Sequence, residues 1–419
     1  MKSKKIKVGV IGLGYVGLPL FLLLSKKFMV YGFDNDQRKI NLLKNKKSYI
    51  SDISSNELNK ININNFYSIE EIKKISECNF IIICLPTPLK KKSPDMSYII
   101  EAFTNIYKHL KKGQTIILES SVYTGATKKV FKKKLSNKFN LGKNFFLCYS
   151  PERIDPGRPK DFKKTSYKNI TKLVSGYSPN CLKKIYFLYN SVFTDIYKCD
   201  SIEIAETAKL FENIYRSVNI GLVNEMKIIS HKLNLNIHKI VDAAGSKPFG
   251  FRKFFPGPGV GGHCIPIDPL YMSWISKKNN YNPKFIDLSV KTNKKINKWT
   301  IDNILLHLPK KKKTKILVLG LTYKKDVNDL RESPSLKIFR TLFLKKYKLS
   351  FSDPYIGSIK IKKNIFYSTI VKNFSKYDCT LLLTDHTDFK YKKILQESKL
   401  IIDTRGKYKD FNSPKIIHL

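Results

Sequence analysis

Cys264 stands in the stretch Phe255-Pro-Gly-Pro-Gly-Val-Gly-Gly-His-Cys-Ile-Pro-Ile-Asp268, where four of the six residues from Gly257 to Gly262 are glycine. Such a run makes a poor regular element, but its backbone can wrap closely around a ligand. A free cysteine is usually a small buried hydrophobe, and that reading suits the other six, among them Cys84 and Cys379 inside apolar runs. Cys264 lies in no apolar run and is the candidate nucleophile. His263 beside it is a weaker candidate base, because adjacent side chains commonly diverge. Lys209, Asn213 and Arg216 recur at i, i+4 and i+7 and share one helix face, with Leu210, Ile214 and Val218 on another. Ser150-Pro-Glu152-Arg153-Ile-Asp155-Pro-Gly157 adds carboxylates after a strand. Gly320-Leu-Thr-Tyr-Lys324-Lys-Asp-Val-Asn-Asp329-Leu-Arg331-Glu-Ser-Pro334 adds the basic groups that a diphosphate requires.

A second chemistry is written near the start. Val8-Gly-Val-Ile-Gly12-Leu-Gly14-Tyr15-Val16-Gly17 places a GxGxxG between a strand and a helix. Gly12 permits the tight turn, Gly14 lets a pyrophosphate approach the backbone, and Gly17 allows close helix–strand packing, with Tyr15 and Val16 completing the cradle. The helix N-terminus supplies N–H groups and positive dipole for the phosphate. Asp34 ends the next strand about 20 residues on, where a carboxylate binds both ribose hydroxyls and repels a 2′-phosphate. NAD is therefore expected over NADP. Arg38 is placed over the adenosine end or is an ordinary solvated arginine. Thr87 in Cys84-Leu-Pro-Thr-Pro88 and Ser121 in Glu119-Ser-Ser-Val-Tyr-Thr-Gly125 offer hydroxyls at strand ends, where open α/β sheets bind ligands.

The elements that position these groups alternate short apolar runs with helical-period stretches. Strands are expected at Lys7 to Ile11, Met29 to Phe33, Phe80 to Leu85, Thr115 to Leu118 and Phe145 to Cys148. That alternation reads as a parallel sheet wrapped by helices. From Asp200, with Glu203 as a capping-box partner, about 30 residues run without proline and with only Gly221 as a break. A long helix is expected there. After the polar spacer Lys310 to Lys313 a second strand-turn-helix series starts at Thr314, with strands at Lys348 to Ser352, Cys379 to Leu383 and Leu400 to Ile402. The fold class is thus α/β, with Rossmann-like halves and parallel sheets. Three domains are expected: 1–199, 200–309 and 310–419.

With 419 residues, 42% of them hydrophobic, the chain is long enough for large cores and is not disordered. Lys and Arg number 78 against 33 Asp and Glu, a net charge of +45. Only eight of the 78 are arginine, and the lysines occur in almost every block. Even spread of this kind argues for compositional drift and against a nucleic-acid-binding stripe. Seven cysteines without CxxC pairs or His/Cys clusters point to reduced thiols and no metal site. No apolar run is long enough for a membrane helix, and the start has no signal-peptide cleavage region. The expected location is the cytoplasm.

Taken together, GLGYVGLPL, PTP, SPERIDPGR, AKLFENIYRSVN, GPGVGGHCIPIDP, YKKDVNDLRESP, the SDP at Ser352 to Pro354 and DTRGKY at Asp403 to Tyr408 resemble the UDP-glucose and UDP-N-acetylhexosamine 6-dehydrogenases over essentially the whole chain. The resemblance implies an N-terminal NAD-binding Rossmann domain, a central helical segment that dimerises, and a C-terminal Rossmann-like domain holding UDP. It implies two successive oxidations at C6 of a UDP-sugar with NAD, for surface polysaccharide precursors. On matching positions, Cys264 is the catalytic thiol, Lys209 the catalytic lysine and Asn213 its neighbour in the oxyanion site. Asp268 assists the water chemistry, Glu152 is the glutamate of the SPE motif, and Ser121 holds a water. The substrate set is Glu152, Arg153, Lys209, Asn213, Arg216, Gly261, Lys324 and Arg331, with Arg405 near the cleft. Ile267 replaces a lysine usual in glucose-specific relatives. The Cys loop, SPERIDPG and Lys247-Pro-Phe-Gly-Phe251 are most similar to the N-acetylhexosamine branch, the glucosamine form first. Thr124 stands where that branch often has proline, and Arg252 and Lys253 where apolar residues are commoner.

Overall fold

The computed structural model describes residues 6–50, 53–91, 93–153, 167–262, 264–309 and 314–419. His263, Asp155, Gly157 and the Lys310 to Lys313 spacer lie outside them. The chain divides into two compact units, Met1–Glu212 with Trp274–Tyr281, and Asn213–Ser273 with Asn282–Leu419. The division falls inside the 31-residue helix Ile202–Lys232. That helix is capped differently from the expectation, because the Ser201 hydroxyl receives the Ile204 N–H at 3.1 Å. Glu203 instead pairs with Lys128 at 2.8 Å.

The first unit is built on eight strands: β1 (Lys7–Ile11), β2 (Met29–Asp34), β3 (Phe66–Ser68), β4 (Phe80–Ile83), β5 (Thr115–Leu118), β6 (Phe146–Tyr149), β7 (Lys172–Gly176) and β8 (Ile196–Lys198). Their spatial order is β8-β7-β6-β5-β4-β1-β2-β3. The chain leaves β1 in both directions, which is the 3-2-1-4-5-6 doubly wound order extended by two strands. β4, β5 and β6 are buried at every position, as strands covered on both faces must be. One pairing breaks the parallel rule. β7 runs antiparallel to β6, with Cys148 opposite Gly176 and Tyr149 opposite Ser175. Reversal carries the start of β7 to the edge of the sheet where β5 and β6 end.

The second unit carries a parallel five-stranded sheet: β9 (Lys315–Leu319), β10 (Lys348–Ser352), β11 (Cys379–Leu382), β12 (Ile401–Asp403) and β13 (Ile416–His418). Its order is β10-β9-β11-β12-β13. That is the 2-1-3-4-5 doubly wound arrangement, whose ligand crevice lies where the order reverses beside the first strand. Between β10 and β11 the crossover is an antiparallel hairpin, Ser358–Ile361 with Asn364–Tyr367, in place of a helix. The helix Lys284–His307 buries Ile304 in the same core as Val318, Phe339 and Phe351.

Candidate active site

In the first unit the glycine turn has a separate physical reason at each position. Gly12 has φ +89°, and a Cβ there would stand 2.5 Å from the Cys84 carbonyl oxygen. At Gly17 a Cβ would meet the Gly12 carbonyl oxygen at 1.8 Å, so the helix Gly17–Leu24 starts hard against the turn. Gly14 is the reverse case, with nothing within 4 Å of the Cβ position. No side chain caps that helix, which leaves its N-terminus available to an anion. Asp34 is 5% exposed and receives the N–H groups of Leu13 and Asp36, each at 2.9 Å. The partly exposed Lys39 ammonium also lies 3.3 Å and 3.5 Å from the two carboxylate oxygens, so a ribose diol would take the place of that side chain. The turn fits a dinucleotide. Arg38 is 89% exposed in its side chain and forks onto Asp36 at 3.1 Å.

The loops after β4 and β5 are stapled together. The Ser120 hydroxyl receives Leu85 N–H at 3.0 Å and donates to the Leu85 carbonyl at 2.7 Å. Thr87 donates to the Ser121 carbonyl at 2.6 Å, which fixes both candidate hydroxyl loops. Glu206, buried on the long helix, receives the N–H groups of Gly125 and, at 2.8 Å, Thr127. Burial pushes its carboxyl up to about 7. Thr124 bonds Thr207 at 2.7 Å, so its hydroxyl makes a tether to the helix.

Glu152, 8% exposed, receives the Tyr167 hydroxyl at 2.8 Å and its neighbour's N–H, that of Arg153, at 2.6 Å. Lys172, the first residue of β7, lies 3.7 Å from Glu152 and 2.6 Å from Glu119. Arg153 is turned onto Glu212 at 2.5 Å and the Thr171 carbonyl at 2.8 Å.

In the second unit Cys264 is half-buried, whereas the other six cysteines are buried. Its carbonyl receives the N–H groups of Ile267 (3.0 Å) and Asp268 (2.8 Å). The thiol residue therefore leads directly into the helix Asp268–Lys278, a position where positive dipole favours a thiolate. Asp268 accepts from Asn213 Nδ2 at 2.6 Å, and both are buried. Lys209, one helical turn before Asn213, is 7% exposed. The glycines of the loop face protein. A Cβ at Gly261 would stand 2.5 Å from Tyr323 Cβ, at Gly259 2.8 Å from Pro334, and at Gly257 2.8 Å from the Arg405 guanidinium. These three positions need glycine for close packing on the β9 loop, Pro334 and Arg405.

That β9 loop is clamped. Asp353 receives Leu321 N–H at 2.7 Å, and Asp326 and Glu332 hold left-handed φ of 59° and 49°, uncommon for residues other than glycine. Arg331 is exposed and forks onto Asp329 at 2.7–3.1 Å. Lys324 is half-buried, and its carbonyl accepts the Thr322 hydroxyl at 2.8 Å.

Three models of one family match in series: the UDP-glucose/GDP-mannose dehydrogenase family NAD binding domain at residues 6–192, central domain at 203–295 and UDP binding domain at 317–410. The chain belongs to this family. It is accordingly an NAD-dependent oxidoreductase, and the open Gly14 turn fits that cofactor. A UDP-N-acetyl-D-glucosamine 6-dehydrogenase of Salmonella typhi is 34% identical over 398 residues, 92% of this chain and 91% of that one. A UDP-N-acetyl-D-mannosamine dehydrogenase of Methanococcus vannielii is 32% identical, covering 97% and 94%. Among solved structures, the UDP-D-ManNAc dehydrogenase of Pyrococcus horikoshii superposes with TM-score 0.82 at 26% identity over 98% and 97% of the two chains.

Within this NAD-dependent dehydrogenase the sequence reading gathered the cofactor turn, the thiol loop and the Asn213–Asp268 pair. It missed Lys172, Glu206 and the role of Glu119. A buried lysine has no signal in a chain where lysine is everywhere. Glu206 had one: a glutamate one turn before Lys209 on the candidate face.

Proposed function

We propose that this dehydrogenase oxidises the C6 hydroxyl of a UDP-N-acetylhexosamine, UDP-N-acetylglucosamine first, to the uronic acid in the cytoplasm, supplying precursors of surface polysaccharide. The observation that carries the reading is Cys264: half-buried at a helix start, beside the buried Asn213–Asp268 pair. Lys209 takes the hydroxyl proton, directly or through a water. The Cys264 thiolate adds to the aldehyde, giving a thiohemiacetal, whose oxidation leaves a thioester. Lys209 and Asn213 stabilise the oxyanions, a contribution of about 3 kcal/mol. Water held by Ser121 and activated by Glu152 and Asp268 releases the acid. NAD, when bound, supplies the hydride acceptor for each oxidation. Thr87 and Ser121 hold its loops, while Arg216, Lys324, Arg331 and Arg405 serve the nucleotide sugar.

The N-acetyl preference rests on Ile267 and on the names of the relatives, which include both the glucosamine and the mannosamine enzymes. An apolar side chain suits an acetamido methyl, whose burial contributes about 1 kcal/mol, and offers no hydrogen bond to a glucose hydroxyl. The second reading is UDP-N-acetylmannosamine, favoured by the Methanococcus relative. Self-association through the long helix has its own support. Ile204, Phe211, Tyr215, Leu222 and Ile229 are 44–67% exposed at spacings of 7, 4, 7 and 7, an apolar stripe of coiled-coil period. A homodimer buries it.

The test measures NADH released per sugar and kcat/KM on UDP-glucose and both UDP-N-acetyl sugars, with Cys264→Ser beside wild type. Two NADH per sugar and about tenfold preference over UDP-glucose are expected, with Cys264→Ser stalled before the free acid. One NADH per sugar, or full turnover by Cys264→Ser, overturns the reading.

A further inference from the structure

Lys172 is one of the few lysines removed from water: its side chain is 3% exposed, and Glu119 beside it is fully buried. Three neighbouring strands deliver the cluster. Glu119 follows β5, Glu152 follows β6, and Lys172 opens β7. The antiparallel register pairs Tyr149 with Ser175, and continuing it by three residues on each strand brings 152 level with 172. Had β7 run parallel, its first residue would lie at the opposite edge of the sheet. The reversed direction of β7, which β8 shares, is thus what puts an ammonium beside the SPE glutamate.

Among the described residues the cluster is densely bonded. Lys172 donates to Glu119 at 2.6 Å and to the Pro151 carbonyl at 3.4 Å, and lies 3.7 Å from Glu152. The Tyr189 hydroxyl donates to Glu119 and the Tyr167 hydroxyl to Glu152. The rings of Tyr189 and Phe193 cover the ammonium at 5.4 Å, and Cys84 is a further titratable neighbour. Lys172 thus serves both carboxylates, Glu119 at hydrogen-bond distance and Glu152 at 3.7 Å. Burial pushes Glu119 up to about 7 against the pull of Lys172. Burial also pulls Lys172 down, but Glu119 and Glu152 outweigh it and its pKa is raised.

We infer that Lys172 is a positioning residue for the hydrolytic half of the reaction, holding the Glu152 carboxylate in place, with Glu119 as the second carboxylate that anchors Lys172. The inference rests on Glu152 being the base of that half. In the step concerned, a water loses a proton to Glu152 as its oxygen bonds the thioester carbonyl carbon. The C–S bond then breaks and Cys264 leaves as thiolate, with no change of oxidation state. A general base contributes about 10²–10⁴-fold to such a step.

Intact-mass spectra of quenched turnovers and steady-state kinetics on UDP-N-acetylglucosamine test it. Glu152→Gln is the control for the underlying reading: it must accumulate acyl-enzyme, and if it turns over freely the base is elsewhere, whatever Lys172 does. Lys172→Met is expected to lose at least about a hundredfold in kcat, keep sugar KM within about threefold, and accumulate the same acyl-enzyme. Lys172→Arg restores the cation and recovers most of the rate. Because Lys172→Met leaves two facing buried acids and can fail to fold, Lys172→Met/Glu119→Gln removes the surplus charge. That double variant folds and still stalls as acyl-enzyme if Lys172 positions Glu152. If it turns over within about threefold of wild type, or if either Met variant stalls without the adduct, Lys172 only balances charge and the inference is overturned.

Discussion

Two turns in this molecule share a backbone device and differ in what they leave open. After β1, Gly12 at φ +89° takes its N–H to the Phe33 carbonyl at 2.8 Å, and Asp34 at the end of β2 receives Leu13 N–H. After β9, Gly320 at φ +79° takes its N–H to the Ser352 carbonyl at 2.9 Å, and Asp353 just past β10 receives Leu321 N–H. Both aspartates therefore clamp a strand-to-helix turn before any ligand is considered. The third position separates them. Gly14 leaves space, while Thr322 is buried and bonded through its hydroxyl to the Lys324 carbonyl and His386. His386 Nε2 also closes on Asp353 at 3.2 Å. An acidic residue at that strand end is thus no sufficient mark of a dinucleotide site. The cradle is made by what is missing at Gly14.

The largest effect should come from Gly17→Ala. Its Cβ would stand 1.8 Å from the Gly12 carbonyl oxygen, backbone that cannot swing aside. A cost of about 3 kcal/mol is expected, read as a fall in Tm or loss of folded protein. Gly14→Ala sharpens the contrast, since its Cβ meets nothing within 4 Å. Its Tm should hold or rise slightly through the lower unfolded-chain entropy, while KM for NAD rises about thirtyfold, close to 2 kcal/mol. If Gly14→Ala leaves NAD binding intact, the open cradle is not where the pyrophosphate lies.

Next in size is a paired substitution, Asp34→Asn and Asp353→Asn. Each removes one carboxylate from a clamp, so both should lower stability by about 1 kcal/mol. Only Asp34→Asn should erode the preference for NAD over NADP, by about tenfold or more, because a charged acceptor for the ribose hydroxyls contributes about 1.5–3 kcal/mol. Kinetics with both cofactors separate clamp from reader. An unchanged NAD/NADP ratio in Asp34→Asn would reduce Asp34 to a clamp like its counterpart.

The same contrast explains what could be read from residues alone. β4 and β5 were legible because Phe80–Ile83 and Thr115–Leu118 are continuous buried runs. β3 and β8 have three residues each and lie at the sheet edges, and β7 opens on a lysine, so none carries a clear alternation. The loops at the site announced themselves through glycine and proline, whose backbone demands are local. Why Gly257, Gly259 and Gly261 are glycine was not legible, because their neighbours Arg405, Pro334 and Tyr323 arrive from more than 60 residues away in the chain. Lys172 was hidden for a related reason. Its burial depends on the reversed direction of β7, and no residue within that strand encodes the direction.

The smallest effect tests the closed turn. His386 Nδ1 accepts the Asp326 N–H at 3.0 Å, so the ring proton sits on Nε2 and faces Asp353 and the Thr322 hydroxyl. Thr322 in turn donates to the Lys324 carbonyl at 2.8 Å. Thr322→Ala removes that donor and the hydroxyl facing His386 Nε2, which keeps Asp353 as its acceptor, so the net loss is about 1 kcal/mol. For a unit of this size that is a fall in Tm of about 2–4 °C. Freed from its partner, the Lys324 carbonyl lets the β9 loop relax, and KM for the UDP-sugar should rise about threefold. KM for NAD should stay within about twofold of wild type, because this clamp serves the second turn alone. A variant that instead weakened NAD and left the sugar KM unchanged would mean that the closed turn, and not the open one, answers to the cofactor.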